Sequence, residues 1–212
     1  MKIVKPTAIV AAVLAASGFS QIASAGMSAN VGLVSQYHFR GIEQTSGASA
    51  SAGLDYDTKG FYIGTWAADV DDGLEIDLYA GYGIELDSGI SLGFGATTYQ
   101  YTGDFDSAYN EINLSAGFGL FSVGYSVGEW DGVVGDEAAT EGDYDILTIT
   151  IEKDGFSGTF GTYGKDAEGE YFDVAYGTEV GGFDVGVGIL FSGSDLNDDE
   201  SLYFSLSKSF DL

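Results

Sequence analysis

The chain has no cysteine, and its single proline, Pro6, falls before residue 26. Without cysteine no disulfide can staple the fold, so stability must come from burial, from hydrogen-bonded backbone or from the surroundings. Without proline, every residue from 26 onward carries the backbone N–H that a β-ladder requires, and each segment is free to be strand. Basic residues are nearly as scarce, 7 Lys and Arg standing against 33 Asp and Glu for a formal net charge of −26. Beyond residue 25 only Arg40, Lys59, Lys153, Lys165 and Lys208 remain, scattered singly. That excludes the basic patch a nucleic-acid partner needs. The acid excess suits a solvated surface or a cation-favouring lumen. Long apolar runs are also missing after residue 25, so helical membrane spans are excluded.

What is present begins with a leader. Lys2 and Lys5 form a positive n-region, residues 7–17 an apolar h-region, and Ala23-Ser24-Ala25 a small-residue cleavage site. This is the pattern of a Sec-type signal peptide over residues 1–25. The apolar stretch is well short of the roughly 20 residues a spanning helix needs. One domain, residues 26–212, is expected to follow.

Its recurring pattern has period two. In Ile90-Ser91-Leu92-Gly93-Phe94-Gly95-Ala96 every second residue is apolar, and Phe183-Asp184-Val185-Gly186-Val187-Gly188-Ile189 repeats the arrangement. A pleated strand puts those two sets on opposite faces. About twelve segments of roughly ten residues follow this rule, the length a tilted strand needs to cross the hydrocarbon layer. They are 28–38, 48–57, 61–70, 74–86, 90–101, 109–119, 121–130, 143–153, 156–165, 170–179, 183–193 and 201–210. Short connections rich in Asp and Gly, at 57–60, 87–89, 119–120, 153–155 and 180–182, alternate with mostly longer polar ones at 39–47, 71–73, 102–108, 131–142, 166–169 and 194–200. Short periplasmic turns and longer outer loops, with an even strand count, give that order. Aromatic residues gather near the segment ends, where membrane interfaces would lie. The expected fold is all-β: a closed antiparallel transmembrane β-barrel, because only closure leaves no unpaired edge in lipid.

Several blocks resemble a known family: Ser35-Gln36-Tyr37-His38-Phe39-Arg40-Gly41, Gly60-Phe61-Tyr62-Ile63-Gly64-Thr65-Trp66, Glu75-Ile76-Asp77-Leu78-Tyr79-Ala80-Gly81-Tyr82, Tyr109-Asn110-Glu111-Ile112-Asn113 and Tyr125-Ser126-Val127-Gly128-Glu129-Trp130. They are similar to the TorF family of porins, also catalogued as the proteobacterial Gcw_chp family. The resemblance spans nearly all of 26–212 and implies an outer-membrane barrel with a channel role, without a defined solute or catalytic residues. The ending Phe210-Asp211-Leu212 departs from the aromatic last residue of many such proteins, so recognition by the barrel assembly machinery rests on Phe210 or Leu212.

If the apolar set of each strand faces lipid, the other set lines the interior. Ile76, Leu78, Ala80, Tyr82 and Ile84 turn Glu75 and Asp77 inward. Ile112, Leu114, Ala116 and Phe118 do the same for Glu111, and Phe172, Val174 and Tyr176 for Asp173. Segment 61–70 is ambiguous by this test. On the first segment Val31, Leu33, Tyr37 and Phe39 select lipid, which points His38 and Arg40 into the barrel near its outer mouth. The expected pore-lining residues are therefore His38, Arg40, Glu75, Asp77, Glu111, Asp145 and Asp173, with Arg40 facing the carboxylates across an eyelet that orients polar solutes and favours cations. The bland alternative is that these charges form salt bridges plugging a narrow lumen.

Other chemistry has little support. Residues 195–200 look faintly like a calcium loop, but Glu200 stands where glycine is required and Leu206 where the bidentate glutamate belongs. The acids of 131–143, among them Asp136 and Glu137, could collect divalent cations only loosely. His38 is the single histidine and no serine is placed beside it by spacing, which leaves a membrane-embedded lipid hydrolase as a weak third reading. The expectation is a passive channel for small hydrophilic solutes or cations, with no cofactor, no catalysis and no nucleic acid. It would sit among the lipids and lipopolysaccharide of the cell outer membrane. The alternative is a structural or surface-interaction barrel with a plugged lumen.

Overall fold

The computed structural model describes residues 26–132, 141–198 and 200–212. The signal-peptide reading of 1–25 and the acids Asp136, Glu137 and Asp199 lie outside the described residues. In chain order the strands are β1 (Gly26–Val34), the short pair β2 (His38–Phe39) and β3 (Ile42–Glu43), then β4 (Ser49–Thr58), β5 (Phe61–Val70), β6 (Gly73–Glu85) and β7 (Ile90–Tyr101). There follow β8 (Tyr109–Phe118), β9 (Phe121–Trp130), β10 (Gly142–Lys153), β11 (Phe156–Lys165), β12 (Glu170–Val180), β13 (Phe183–Ser192), a single 3₁₀ turn (Ser194–Leu196) and β14 (Glu200–Asp211).

Twelve of these strands close a barrel of sequential antiparallel neighbours, β1 completing the cylinder between β4 and β14. Val31 lies opposite Ala52 on one side and Lys208 on the other, so β1 is laddered along both edges. Closure follows from the solvent, because lipid offers no partner to a free N–H or C=O. The outward set is apolar and laid bare, Phe118 being 64% and Leu202 56% exposed. So large an exposed apolar band is foreign to a water-soluble monomer. At the short-turn end the outward residues Tyr56, Phe61, Tyr82, Phe118, Phe121, Phe156 and Phe183 form an aromatic belt at one membrane interface. The architecture is that of outer-membrane barrels and points to that membrane.

The inward glycines have a second use. Tyr79, Tyr144, Tyr171 and Tyr203 lie in register opposite Gly64, Gly128, Gly161 and Gly188 on the neighbouring strand. A Cβ on any of these four glycines would come within 2.2–2.6 Å of the facing ring. Each ring therefore lies along the wall over a residue with no side chain, which makes room for bulky tyrosines on the inward face.

The first segment departs from expectation. It ends as wall strand at Val34, and the connection that follows does not form an outer loop throughout: Tyr37 to Thr45 fold into the barrel, while Ser46 to Ala48 stay exposed. Tyr37 and Phe39 are accordingly not lipid-facing: Tyr37 is buried inside, and the Phe39 ring packs on Tyr99 with centroids 5.4 Å apart. Within this stretch Arg40 and Gly41 have φ of +50° and +88°, the two left-handed residues of a tight hairpin turn joining β2 to β3. The same pairing recurs at the short turns Lys59-Gly60 (+51°, +88°) and Asp154-Gly155 (+52°, +90°). The hairpin bridges two apolar clusters. Phe39 packs on Val34, Tyr37, Trp66, Ala68 and Val70, while Ile42 packs on Ile146, Tyr171, Leu190, Leu196 and Tyr203. The core of this protein is thus inside its own lumen, in the half away from the short turns.

Candidate functional site in the lumen

Arg40, carried to the tip of the hairpin, meets Glu111 of β8 in a two-point contact, Nη1 to Oε2 at 2.6 Å and Nη2 to Oε1 at 3.0 Å. The pair is sealed from solvent, at 4% and 0% side-chain exposure. Parallel charge-assisted bonds of this kind are strong and directional, which suits them to fixing a register. Tyr144 donates to Oε2 at 2.9 Å and Tyr99 to Oε1 at 3.3 Å, filling the remaining lone pairs that a buried carboxylate must satisfy. Arg40 Nη2 also donates to Ser126 Oγ at 3.2 Å, Ser126 to Asn113 Oδ1 at 2.7 Å, and Asn113 Nδ2 to Thr97 Oγ1 at 3.0 Å. The network thereby runs from the hairpin tip into the β7–β9 wall.

A second carboxylate is held on the same side. Glu75 of β6 accepts from Tyr37 at 2.7 Å and from Tyr101 at 2.8 Å, one on each oxygen. Burial, with Glu75 beside it, pushes the Tyr37 hydroxyl well above its ordinary pKa, so it remains a donor. Asp77, two residues along the same face, is buried at 2% exposure and its Oδ1 has no hydrogen-bond partner.

On the opposite flank the tip of the hairpin is held through its backbone carbonyls. Ser192 Oγ donates to the Gly41 carbonyl at 2.5 Å and Tyr163 to the Arg40 carbonyl at 3.1 Å. His38 Nε2 lies 3.1 Å from Ser201 Oγ of β14, and Tyr203 donates to both oxygens of Asp173, at 3.1 and 2.9 Å. Gly41 presses onto Tyr171, where an added Cβ would lie 2.7 Å from the tyrosine Cβ. Between hairpin and wall is a pocket of about 20 Å³ bordered by Gln36, His38, Arg40, Gly41, Tyr171, Asp173, Leu190 and Tyr203. That is room for about one water molecule.

Of the seven residues expected inside, six are there. His38 and Arg40 arrive on an inserted hairpin and not on a wall strand, and Arg40 touches Glu111 directly, so no open aperture separates them. Asp145 is the exception and corrects the expectation: it lies on the outward set of β10, where Tyr125 donates to it at 3.0 Å. Its phase is fixed by Ile149 and Ile151, which face lipid and carry Leu147 and Asp145 with them. Ile146 points inward to join the core, so two adjacent apolar residues, Ile146 and Leu147, conceal the alternation. Sequence reasoning placed Tyr79 and Tyr171 on the inward sets but missed Ser201 beside His38 and the seating of the inward tyrosines over facing glycines. The cross-strand Tyr and Gly spacing was the available signal for the latter. The pocket next to His38 and Ser201 is far too small for an acyl chain. Among the described residues no three His, Cys, Asp or Glu side chains are grouped to hold a metal ion.

Comparison with solved structures supports the architecture. A membrane protein from a study of in-meso crystallization superposes with a TM-score of 0.62 at 12% identity, over 89% of this chain and 84% of that one. The outer-membrane protein OprD of Pseudomonas aeruginosa gives 0.40 at 11% identity, over 88% of this chain and 65% of its own length. The outer-membrane protein OpdK of the same organism gives 0.41 at 12%, over 88% and 67%. At 12% identity the first of these shows a common fold. None of the curated proteins compared matches the chain. Residues 20–128, just over half of the sequence, match the family described as bacterial proteins of unknown function, Gcw_chp, and the chain belongs to that family.

Proposed function

We propose that the protein is a porin-type channel of the outer membrane that passes small hydrophilic solutes, small cations before anions, along a lumen narrowed at its outer end by the inserted hairpin. The observation that carries this reading is the wall below the hairpin. Asn30, Ser51, Gly93, Ser115, Ser122, Thr148, Ser205 and Ser207 project inward there and remain partly exposed to solvent. An interior lined with small polar residues and left open to water leaves room for hydrated solutes. Twelve strands fall between barrels filled by side chains and those with a wide aqueous channel. Among the described residues, no Lys or Arg projects inward from the wall below the hairpin, whereas Asp55, Glu85 and Asp184 do. With Arg40 occupied by Glu111, the field along the lumen is negative.

The porin role implied by the TorF resemblance rests on the same ground. The same proposal includes export by the signal peptide at 1–25, read from the sequence pattern, insertion by the assembly machinery and an outer loop face set in lipopolysaccharide. Refolded protein comprising residues 26–212, inserted in planar bilayers and liposomes, tests the reading. Small stepwise currents with potassium favoured over chloride, and swelling in small sugars, are expected. Silent, impermeable insertions would overturn it. The second reading, a structural barrel whose acidic loops meet a partner, is favoured by the sealed Arg40 and Glu111 pair, and silent insertions are its expected result.

A further inference from the structure

We infer that the route past the hairpin runs along its β12–β14 flank, and that Asp173 is the residue that sets ion preference there. This rests on the channel reading above and adds a location and a determinant to it.

The two flanks of the hairpin are held by different chemistry. Toward β6–β9 it is joined through charged groups: Arg40 to Glu111 at two points, and Tyr37 to Glu75 at 2.7 Å. Phe39 against Tyr99 makes that side dry as well. Toward β11–β14 its tip is joined through two carbonyls, that of Gly41 accepting from Ser192 on β13 and that of Arg40 from Tyr163 on β11, each taking one neutral hydroxyl. A neutral hydrogen bond exchanges with water at little net loss, whereas a buried ion pair does not. Water therefore enters first along the second flank.

The pocket lies on that flank, and its polar groups are incomplete. Tyr171 and Arg40, which both line it, each carry a buried polar atom without a hydrogen-bond partner, the hydroxyl and Nε, in residues only 3% and 4% exposed. Two orphan donors call for an acceptor. The Asp173 carboxylate, on the same pocket wall, takes bonds from the Tyr203 hydroxyl and calls for a donor or a cation. A water molecule satisfies both demands at once, and the space fits one. A hydrated seam that carries a carboxylate, with the nearby guanidinium already engaged by Glu111, is where a small cation can replace water. An anion arriving there meets Asp173 without compensation.

The absence of cysteine makes the test direct, since each introduced thiol reports alone. Protein comprising residues 26–212 is studied in planar bilayers as wild type, Asp173→Asn, Asp173→Glu, Asp173→Cys and Asp77→Cys, the last probing the opposite flank. The probe is the trimethylammonium-ethyl methanethiosulfonate cation. Asp173→Asn is expected to lower the potassium-to-chloride permeability ratio several-fold, and Asp173→Glu to retain it. The reagent should modify Asp173→Cys and block most of its current, while Asp77→Cys reacts much more slowly. A conducting wild type whose ratio survives Asp173→Asn, or in which position 77 reacts before 173, overturns this inference and leaves the channel reading standing. Silence of the wild type and every variant overturns the channel reading and the route with it.

Discussion

The outer half of the lumen is crowded by Trp66, Tyr99, Tyr144, Tyr171 and Tyr203, with the hairpin seated among them, whereas the inner half offers Ser, Thr, Gly and Asn to solvent. Both halves are built by the same twelve strands, and their outward faces are alike, since lipid imposes one requirement along the whole barrel. Only the inward set is free to vary along the axis. On the channel reading proposed above, the change there from packed aromatic rings to small hydroxyls is a change in what the lumen does: the outer half obstructs and discriminates at Asp173, and the inner half, with Asp55, Glu85 and Asp184 on its wall, conducts.

The contrast is broken most severely at Arg40. Arg40→Ala strands Glu111 as a buried, unpaired charge, and losing one partner of such a pair costs about 3–5 kcal/mol. Urea unfolding should shift by that amount, and bilayer conductance should rise several-fold as the hairpin loses its anchor. If neither moves, the ion pair does not hold the outer half closed. The next largest effect is expected at Gly41, whose φ of +88° and close approach to Tyr171 leave no place for a side chain. Gly41→Val combines backbone strain of about 1–3 kcal/mol with a clash that lifts the tip. Noisy, enlarged currents with the barrel still closed would report it, and quiet wild-type currents would refute it. Gly188→Val comes third. Its Cβ would meet the Tyr203 ring at 2.3 Å and drive the ring into the outer lumen. A cost of about 1–3 kcal/mol in urea unfolding is expected, as for other overpacked sites, with a reduced current. Unchanged stability and current would mean that the ring does not rest on the glycine.

The barrel was legible because lipid writes the alternation. Ile90 to Ala96 and Phe183 to Ile189 could be assigned their faces from residue type alone, and eleven of the twelve wall strands start and stop within about two residues of expectation, inside the usual boundary error. The hairpin was not legible for the converse reason. Tyr37 and Phe39 continue the apolar phase of Val31 and Leu33, and a residue destined for a core inside the lumen is as apolar as one destined for lipid. The pattern records avoidance of water, not which refuge is used. Arg40-Gly41 held the missing information, since it matches the turn dipeptides Lys59-Gly60 and Asp154-Gly155. The partnership of Arg40 with Glu111, 71 residues away, leaves no local trace beyond the scarcity of cations. Glu75, Glu111 and Asp173 were found because their strands alternate cleanly. Asp145 was misplaced because Ile146 and Leu147 do not.

The smallest effect is expected in the inner half, and it separates a wide vestibule from a second constriction. Ser115 projects inward from β8 with Gly93 opposite it on β7 and Gly124 opposite it on β9. Ser115→Tyr thus places a ring between two bare positions and reproduces the Tyr and Gly pairing found at Tyr144 with Gly128. The ring can lie along the wall, so stability should stay within about 0.5 kcal/mol of wild type, as for a substitution that creates neither cavity nor unpaired charge. Conductance should fall slightly at constant ion preference, because the substitution removes no charged group from the lumen. Loss of most of the current would mean that the inner half is as narrow as the outer, and the division of the lumen into selecting and conducting parts would fail. A small loss of current together with a changed permeability ratio would instead move selection down to the level of Asp55 and Tyr79, whose 2.5 Å hydrogen bond is the next polar contact along the wall.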